Sequence, residues 1–259
     1  MRIGFFDSGI GGLALLESAI QLFPNNQYLY VADNAFAPYG NKTDQAIEER
    51  CLIIQSYLEA HGVDAIVVAC NTATAVAIDE MRLKTQLPII GVEPAIKPAA
   101  LSEQTAVAVL ATQATLQSER YKKLRSQYDE KGIYESACPG WVAALENNDQ
   151  AHWPELMEAA LKDIKEKSVS HVVLGCTHYI GLKDQIQAYI AKPLTFYEPT
   201  QGVMQRMQQL LGEALSCSDD ELEVTLMATG SVDRLNEWAN NKSLKNHSVS
   251  VTDLSHDAT

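Results

Sequence analysis

Two cysteines of this chain stand in matching surroundings. Cys70 lies in AIVVACNTA, residues 65–73, and Cys176 in VVLGCTHY, residues 172–179. In both, an apolar run of strand character gives way to a cysteine and then to polar residues. A cysteine that opens a helix sits near the positive end of the helix dipole, which lowers its pKa. The resulting thiolate can serve as a nucleophile or as a general base. A nucleophile needs only one thiol. Two thiols on opposite faces of one carbon can do something different: one removes a proton, the other returns one from the far side, and the centre inverts. Their roles exchange when the reaction runs backward. His178, two residues beyond Cys176, is the histidine placed to assist a thiol.

The remaining candidates read more plainly. Cys51 falls on the apolar face of a helical pattern and is expected to pack. Cys138, in ACPGWV, reads as structural, and Cys217, in an acidic linker, as incidental. His61, His152, His247 and His256 sit in polar contexts and read as surface residues. DSGIGG, residues 7–12, carries only part of a dinucleotide fingerprint, although Asp33 follows at about the right distance. The better reading is a strand-to-helix turn whose glycines let the backbone approach a small ligand. PYGNK, residues 38–42, is a turn by composition, and its N–H groups could serve a carboxylate. Phosphate-loop, nucleophile-elbow and zinc-protease motifs are missing. Cysteine and histidine do not cluster at zinc spacing, so a structural metal is not expected, and nothing resembles a pyridoxal-phosphate lysine site.

These residues need elements to position them. Strands are predicted at 2–6, 27–32, 65–69, 88–92, 106–110, 171–175, 194–197 and 224–228. Amphipathic helical patterns lie between them, notably 44–61, with Ile47, Cys51, Ile54 and Leu58 on one face, and 154–167, which opens on a proline. Alternating strands and helices imply parallel sheets covered by helices on both faces. In such sheets ligands bind beyond the C-terminal ends of the strands. There the sequence places Asp7 and Ser8, Cys70 with Asn71 and Thr72, Thr112, and Cys176 with Thr177 and His178.

The chain also repeats itself. When 62–72 is laid on 168–178, Cys70 falls on Cys176, Asn71 on Thr177 and Thr72 on His178; when 3–9 is laid on 107–113, Ser8 falls on Thr112. Two halves of about 100 residues fit an internal duplication. The expected architecture is two pseudo-symmetric α/β domains with the active site in the cleft between them. The first comprises 1–97 plus a returning tail, 207–259, and the second 98–206.

The 259 residues carry a net charge of −13, which makes nucleic acid and anionic membranes poor partners. A small anionic substrate stays open, because backbone N–H groups make a pocket locally positive. Five widely spaced cysteines and no signal-peptide pattern point to a reduced, cytoplasmic protein.

Taken together, FDSGIGGL (6–13), YVADNAFAPYGNK (30–42), GVDAIVVACNTATA (62–75), PIIGVEPAIKPAA (88–100), CPGWVAALE (138–146) and VVLGCTHY (172–179) resemble the glutamate racemases, the cofactor-independent branch of the aspartate/glutamate racemase superfamily. The resemblance covers roughly 3–205 and implies interconversion of L- and D-glutamate, with the D form feeding peptidoglycan synthesis. It makes Cys70 and Cys176 the acid/base thiols, the first acting on D-glutamate and the second on L-glutamate. Asp7 matches an aspartate assisting the first thiol or the substrate ammonium, and His178 and Glu146 match groups assisting the second. Ser8, Pro38, Tyr39, Gly40, Asn71, Thr72, Thr112, Thr115 and Thr177 fall where the substrate is held. The resemblance also implies a homodimer. DNA gyrase binding and activation by a cell-wall precursor, known for some members, are not readable from these residues. Ala111, EPAIKPAA, Ile180 and YEPTQG (197–202) depart from the family pattern at loop edges. The competing readings are a racemase of a neighbouring substrate such as aspartate, a binding protein without activity, and a thiol-redox protein.

Overall fold

The structure is a computed structural model and describes residues 1–102, 106–128, 130, 132–167, 169–216, 222–242, 244 and 246–254. Cys217 and His256 lie outside the described residues, as does most of the acidic linker. The chain divides into two compact units, Met1–Val92 with Thr200–Thr259, and Glu93–Pro199. The boundaries expected at 97/98 and 206/207 would each cut a helix, Ile96–Ala100 and Thr200–Ser216 respectively.

Ten strands are formed among the described residues: β1 Arg2–Asp7, β2 Gln27–Ala32, β3 Ala65–Val68, β4 Ile89–Gly91, β5 Ala106–Ala111, β6 Gly132–Ala137, β7 His171–Gly175, β8 Thr195–Tyr197, β9 Glu223–Ala228 and β10 His247–Val251. The first unit holds a sheet in the order β10-β9-β2-β1-β3-β4, the second a sheet in the order β6-β5-β7-β8. Every pairing is parallel. The second sheet repeats the order β2-β1-β3-β4 of the first, with β5 standing for β1 and β7 for β3. Cys70 and Cys176 therefore follow equivalent strands.

Parallel strands need both faces covered, and the side chains alternate accordingly. In the first sheet Phe6, Leu29, Val31, Ile66 and Val68 pack with Ile47, Cys51, Ile54 and Leu58 of the helix Asp44–Ala60 and with Ala73, Ala77, Ile78 and Met81 of the helix Asn71–Leu83. Ile3, Phe5, Tyr28, Tyr30 and Val67 alternate with them and are equally buried. In the second sheet Ala108, Leu110, Val172 and Leu174 meet Leu161, Ile164 and Ile186, while Val107, Val109 and Val173 face Ile96, Ala99 and Tyr121. Each large aliphatic side chain so buried contributes about 1.5–3 kcal/mol. These two-sided cores fix the strand ends that carry the polar residues.

Two strands have no counterpart among the predicted runs. β6 (GIYESA) is half exposed, and β10 (HSVSV) is exposed along most of its length. Both are sheet edges, so neither carries the apolar run that a doubly covered strand requires. The helix expected to open on Pro154 spans Trp153–Glu166 with that proline in its first turn. His61, read as a surface residue, is half-buried: it closes the helix Asp44–Ala60, its Nδ1 lies 2.8 Å from Tyr57 O, and its ring lies 4.2 Å from that of Tyr57. A helix C-terminus favours an imidazole, and Tyr57 covers its apolar face.

Candidate active site

In the first unit the candidate residues gather at the C-terminal ends of β1 and β3. Asp7 closes β1 and is fully buried. Its Oδ2 accepts from the backbone N–H groups of Gly9 and Gly12, each at 3.2 Å. The glycine turn is tight for a reason: a Cβ on Gly12 would lie 2.7 Å from Ala69 Cβ and 2.9 Å from Asp7 Cβ. Ser8, the next residue, has its Oγ 3.7 Å from Cys70 Sγ.

Cys70 is the N-cap of the helix Asn71–Leu83, and its sulfur accepts from Ala73 N at 3.5 Å. Both the capping N–H and the dipole of a 13-residue helix favour negative charge on this sulfur. Asn71 and Thr72 are buried in the first turn. The segment 34–41 ends in a 3-10 turn, Tyr39–Asn41, preceded by Pro38. Tyr39 is buried in the same cluster as Cys70 and Cys51. Burial first, and then the nearby Cys51, Asp33 and Cys70, hold its phenol well above the ordinary tyrosine range. Burial likewise raises the Cys51 thiol, with Cys70 and Asp33 adding to the effect.

The second unit repeats the placement with different chemistry. Cys176 follows β7 but caps a 3-10 turn, Thr177–Leu182, rather than an α-helix. These six residues run on into the helix Lys183–Ile190, but the Cys176 sulfur lacks the capping N–H that Cys70 receives from Ala73. In its place Cys176 has a side-chain relay. Nδ1 of His178 lies 3.8 Å from Cys176 Sγ, and Nε2 lies 2.6 Å from Glu146 Oε1, at the end of the helix Trp141–Glu146. The imidazole and carboxylate side chains are 2% and 14% exposed, so the pair is shielded from water. Thr112 caps the short helix Gln113–Gln117; its Oγ1 accepts from Thr115 N at 3.2 Å and donates to Thr115 Oγ1 at 2.9 Å. A Cβ on Gly175 would lie 2.9 Å from Ala111 Cβ, so the glycine on β7 makes room for the alanine that pairs with it on β5.

Cys138 is buried, with its sulfur 3.6 Å from Ser136 O. Burial, and then the nearby Cys176, raise its thiol strongly. Tyr179, whose hydroxyl donates to Cys138 O at 3.3 Å, is raised by burial, Cys176 and Cys138 in that order.

Asn71 and Thr177, the residues directly after the two thiols, share a further feature: Asn71 Oδ1 and Thr177 Oγ1 are buried atoms without a hydrogen-bond partner. Burying a polar group in this way costs about 1–3 kcal/mol unless a partner is supplied. Among the described residues no group of three or more His, Cys, Asp or Glu could hold a metal ion. None of the described helices is long and apolar enough to cross a membrane. The sequence signals did not single out Asp33, Arg50 or Thr229 as partners of one another; their contacts join distant segments.

Residues 13–206 match the family described as Asp/Glu/Hydantoin racemase. A glutamate racemase of Clostridium perfringens is 37% identical over 248 residues, which are 94% of this chain and 93% of that protein. Among solved structures, a glutamate racemase isoform from Bacillus anthracis superposes with a TM-score of 0.83 at 26% identity, covering 98% of this chain and 97% of that one. The glutamate racemase of Francisella tularensis in complex with D-glutamate gives a TM-score of 0.81 at 25% identity, covering 98% of each chain.

Proposed function

The chain belongs to the Asp/Glu/Hydantoin racemase family, among its glutamate racemases, and from this premise we propose that it interconverts L- and D-glutamate with Cys70 and Cys176 as the two acid/base thiols. One sulfur, as thiolate, takes the α-proton; the other, as thiol, delivers a proton to the opposite face of the same carbon. The product leaves the two protonation states exchanged, ready for the reverse direction.

The observation that carries this reading is the equivalence of the two cysteines. Each follows an equivalent strand of an equivalently ordered sheet, and each precedes a buried polar atom without a partner. The α-proton of an amino acid is a very weak acid, so the carbanion must be met by preorganised donors in a site that excludes water. Asn71, Thr72, Thr112, Thr115 and Thr177 supply hydroxyl and amide groups for that task. The amides that open the turn Tyr39–Asn41 are not used within it and suit a carboxylate. Asp7 and Ser8 serve the Cys70 side, and His178 with Glu146 the Cys176 side, where the imidazole passes a proton to or from the sulfur.

The product D-glutamate would supply peptidoglycan synthesis in the cytoplasm, with the enzyme working as a homodimer. Resemblance to glutamate racemases over nearly the whole chain favours glutamate over aspartate. The test follows the optical signal of D-glutamate with purified protein, chelator and reductant present and no cofactor added, beside Cys70→Ala. Decay to the racemic value with wild type alone supports the reading. A flat signal from folded wild type with glutamate, together with turnover of aspartate, assigns the neighbouring substrate.

A further inference from the structure

Asp33 lies at the distance from the glycine turn where a dinucleotide site would place its acidic residue, yet its carboxylate is fully buried and fully engaged within the protein. Oδ1 accepts from Arg50 Nη2 at 2.6 Å and from Thr229 Oγ1 at 2.8 Å. Oδ2 accepts from Arg50 Nε at 2.8 Å and from the Tyr39 hydroxyl at 2.7 Å. Four donors from three parts of the chain thus meet one carboxylate. The planar fork of Arg50 accounts for two of them, the strongest geometry open to an arginine–carboxylate pair.

The same loop is held from the other side by the turn after β9. Thr229 Oγ1 also accepts from Ala35 N at 3.1 Å, Asn34 Oδ1 accepts from Gly230 N at 2.7 Å, and Asn34 Nδ2 donates to Ser231 O at 2.6 Å. The space is close: a Cβ on Gly230 would lie 3.0 Å from Asn34 Oδ1. Residues 229–231 lie beyond the part of the chain that matches the family, 13–206.

We propose that Asp33, Arg50 and Thr229 are positioning residues for substrate binding: they clamp the segment 34–41 so that the turn Tyr39–Asn41 is fixed beside Cys70, and through Thr229 the C-terminal segment becomes part of the substrate site. This rests on the racemase reading above. The clamp touches the substrate turn through the Tyr39 hydroxyl, so its loosening loses ordering of the loop, and that loss appears in substrate affinity. A carboxylate serving only the stability of the fold would leave affinity unchanged.

The experiment measures KM and kcat for D-glutamate, with unfolding midpoints, for wild type, Thr229→Val, Thr229→Ser and Tyr39→Phe. Thr229→Val keeps the shape and removes the hydroxyl that bridges Asp33 and Ala35; Tyr39→Phe removes only the bond to Asp33. The expected result is a rise in KM of at least fivefold for Thr229→Val and Tyr39→Phe, with kcat changed less, and near-wild-type KM for Thr229→Ser. Wild-type KM in both Thr229→Val and Tyr39→Phe, whatever happens to their midpoints, overturns the clamp while leaving the racemase reading intact. If Thr229→Val does not fold, Tyr39→Phe decides alone. Folded but inactive wild type overturns both.

Discussion

Nε2 of His178 lies 2.6 Å from Oε1 of Glu146, and the opposite nitrogen of the same ring faces Cys176. The carboxylate therefore selects the orientation of the imidazole and the nitrogen it offers to the sulfur. Glu146→Ala should lower kcat by about 10²-fold, the scale of a misplaced catalytic group. Glu146→Gln keeps an acceptor oxygen and should lose less. Equal losses in the two variants would show that the charge, rather than the orientation, matters.

Replacing either candidate thiol removes one proton carrier. Cys70→Ala and Cys176→Ala should each cut racemisation by about 10²–10⁴-fold, the usual worth of a positioned acid or base. Both should unfold cooperatively near the wild-type midpoint, because each loses a single small side chain. Wild-type rates in either variant would refute the two-thiol mechanism.

The two supporting cysteines should behave differently towards alkylating agents. Burial raises the thiols of Cys51 and Cys138, and since only the thiolate reacts, little of the reactive form exists at pH 8. Timed iodoacetamide labelling with peptide mapping should find both unmodified in the folded protein and both labelled once it is denatured. Rapid labelling of either in the native state would contradict their burial.

The glycine turn beneath Asp7 has no room for a methyl group, with two carbons under 3 Å from the position it would take. Gly12→Ala should destabilise the protein by about 1–3 kcal/mol, the usual cost of overpacking, and lower activity by shifting Asp7. Gly202→Ala, where the added carbon meets nothing within 4 Å, should leave the urea midpoint unchanged or raise it slightly.

Much of this was legible in the residues themselves. Strands buried on both faces announce themselves as continuous apolar runs, and the polar residues at their C-terminal ends follow directly, which is why the positions of Cys70 and Cys176 beyond β3 and β7 are readable. β6 and β10 were not, because an exposed edge imposes no apolar pattern. The 3-10 turn after Cys176 was likewise hidden, since its composition matches a helix start. The clamp on Asp33 was the least visible. Its arginine stands 17 residues away and its threonine 196, and no local periodicity encodes a contact of that span. The partial fingerprint around DSGIGG is only a weak nucleotide signal, and the aspartate that follows it at about the right distance bonds instead to Arg50, Tyr39 and Thr229.

The six-stranded sheet also dictates an order of events during synthesis. β9 lies against β2, so the first unit receives its inner neighbour only after the intervening unit and the segment that follows it have been made. The second unit is one uninterrupted stretch, Glu93–Pro199, whose four strands pair only among themselves. On a ribosome the later-encoded unit can therefore mature first, while β2 waits with an open edge, the state in which a chain is most exposed to mispairing. Pulse proteolysis of stalled nascent chains should find Glu93–Pro199 protected before the segment upstream of it.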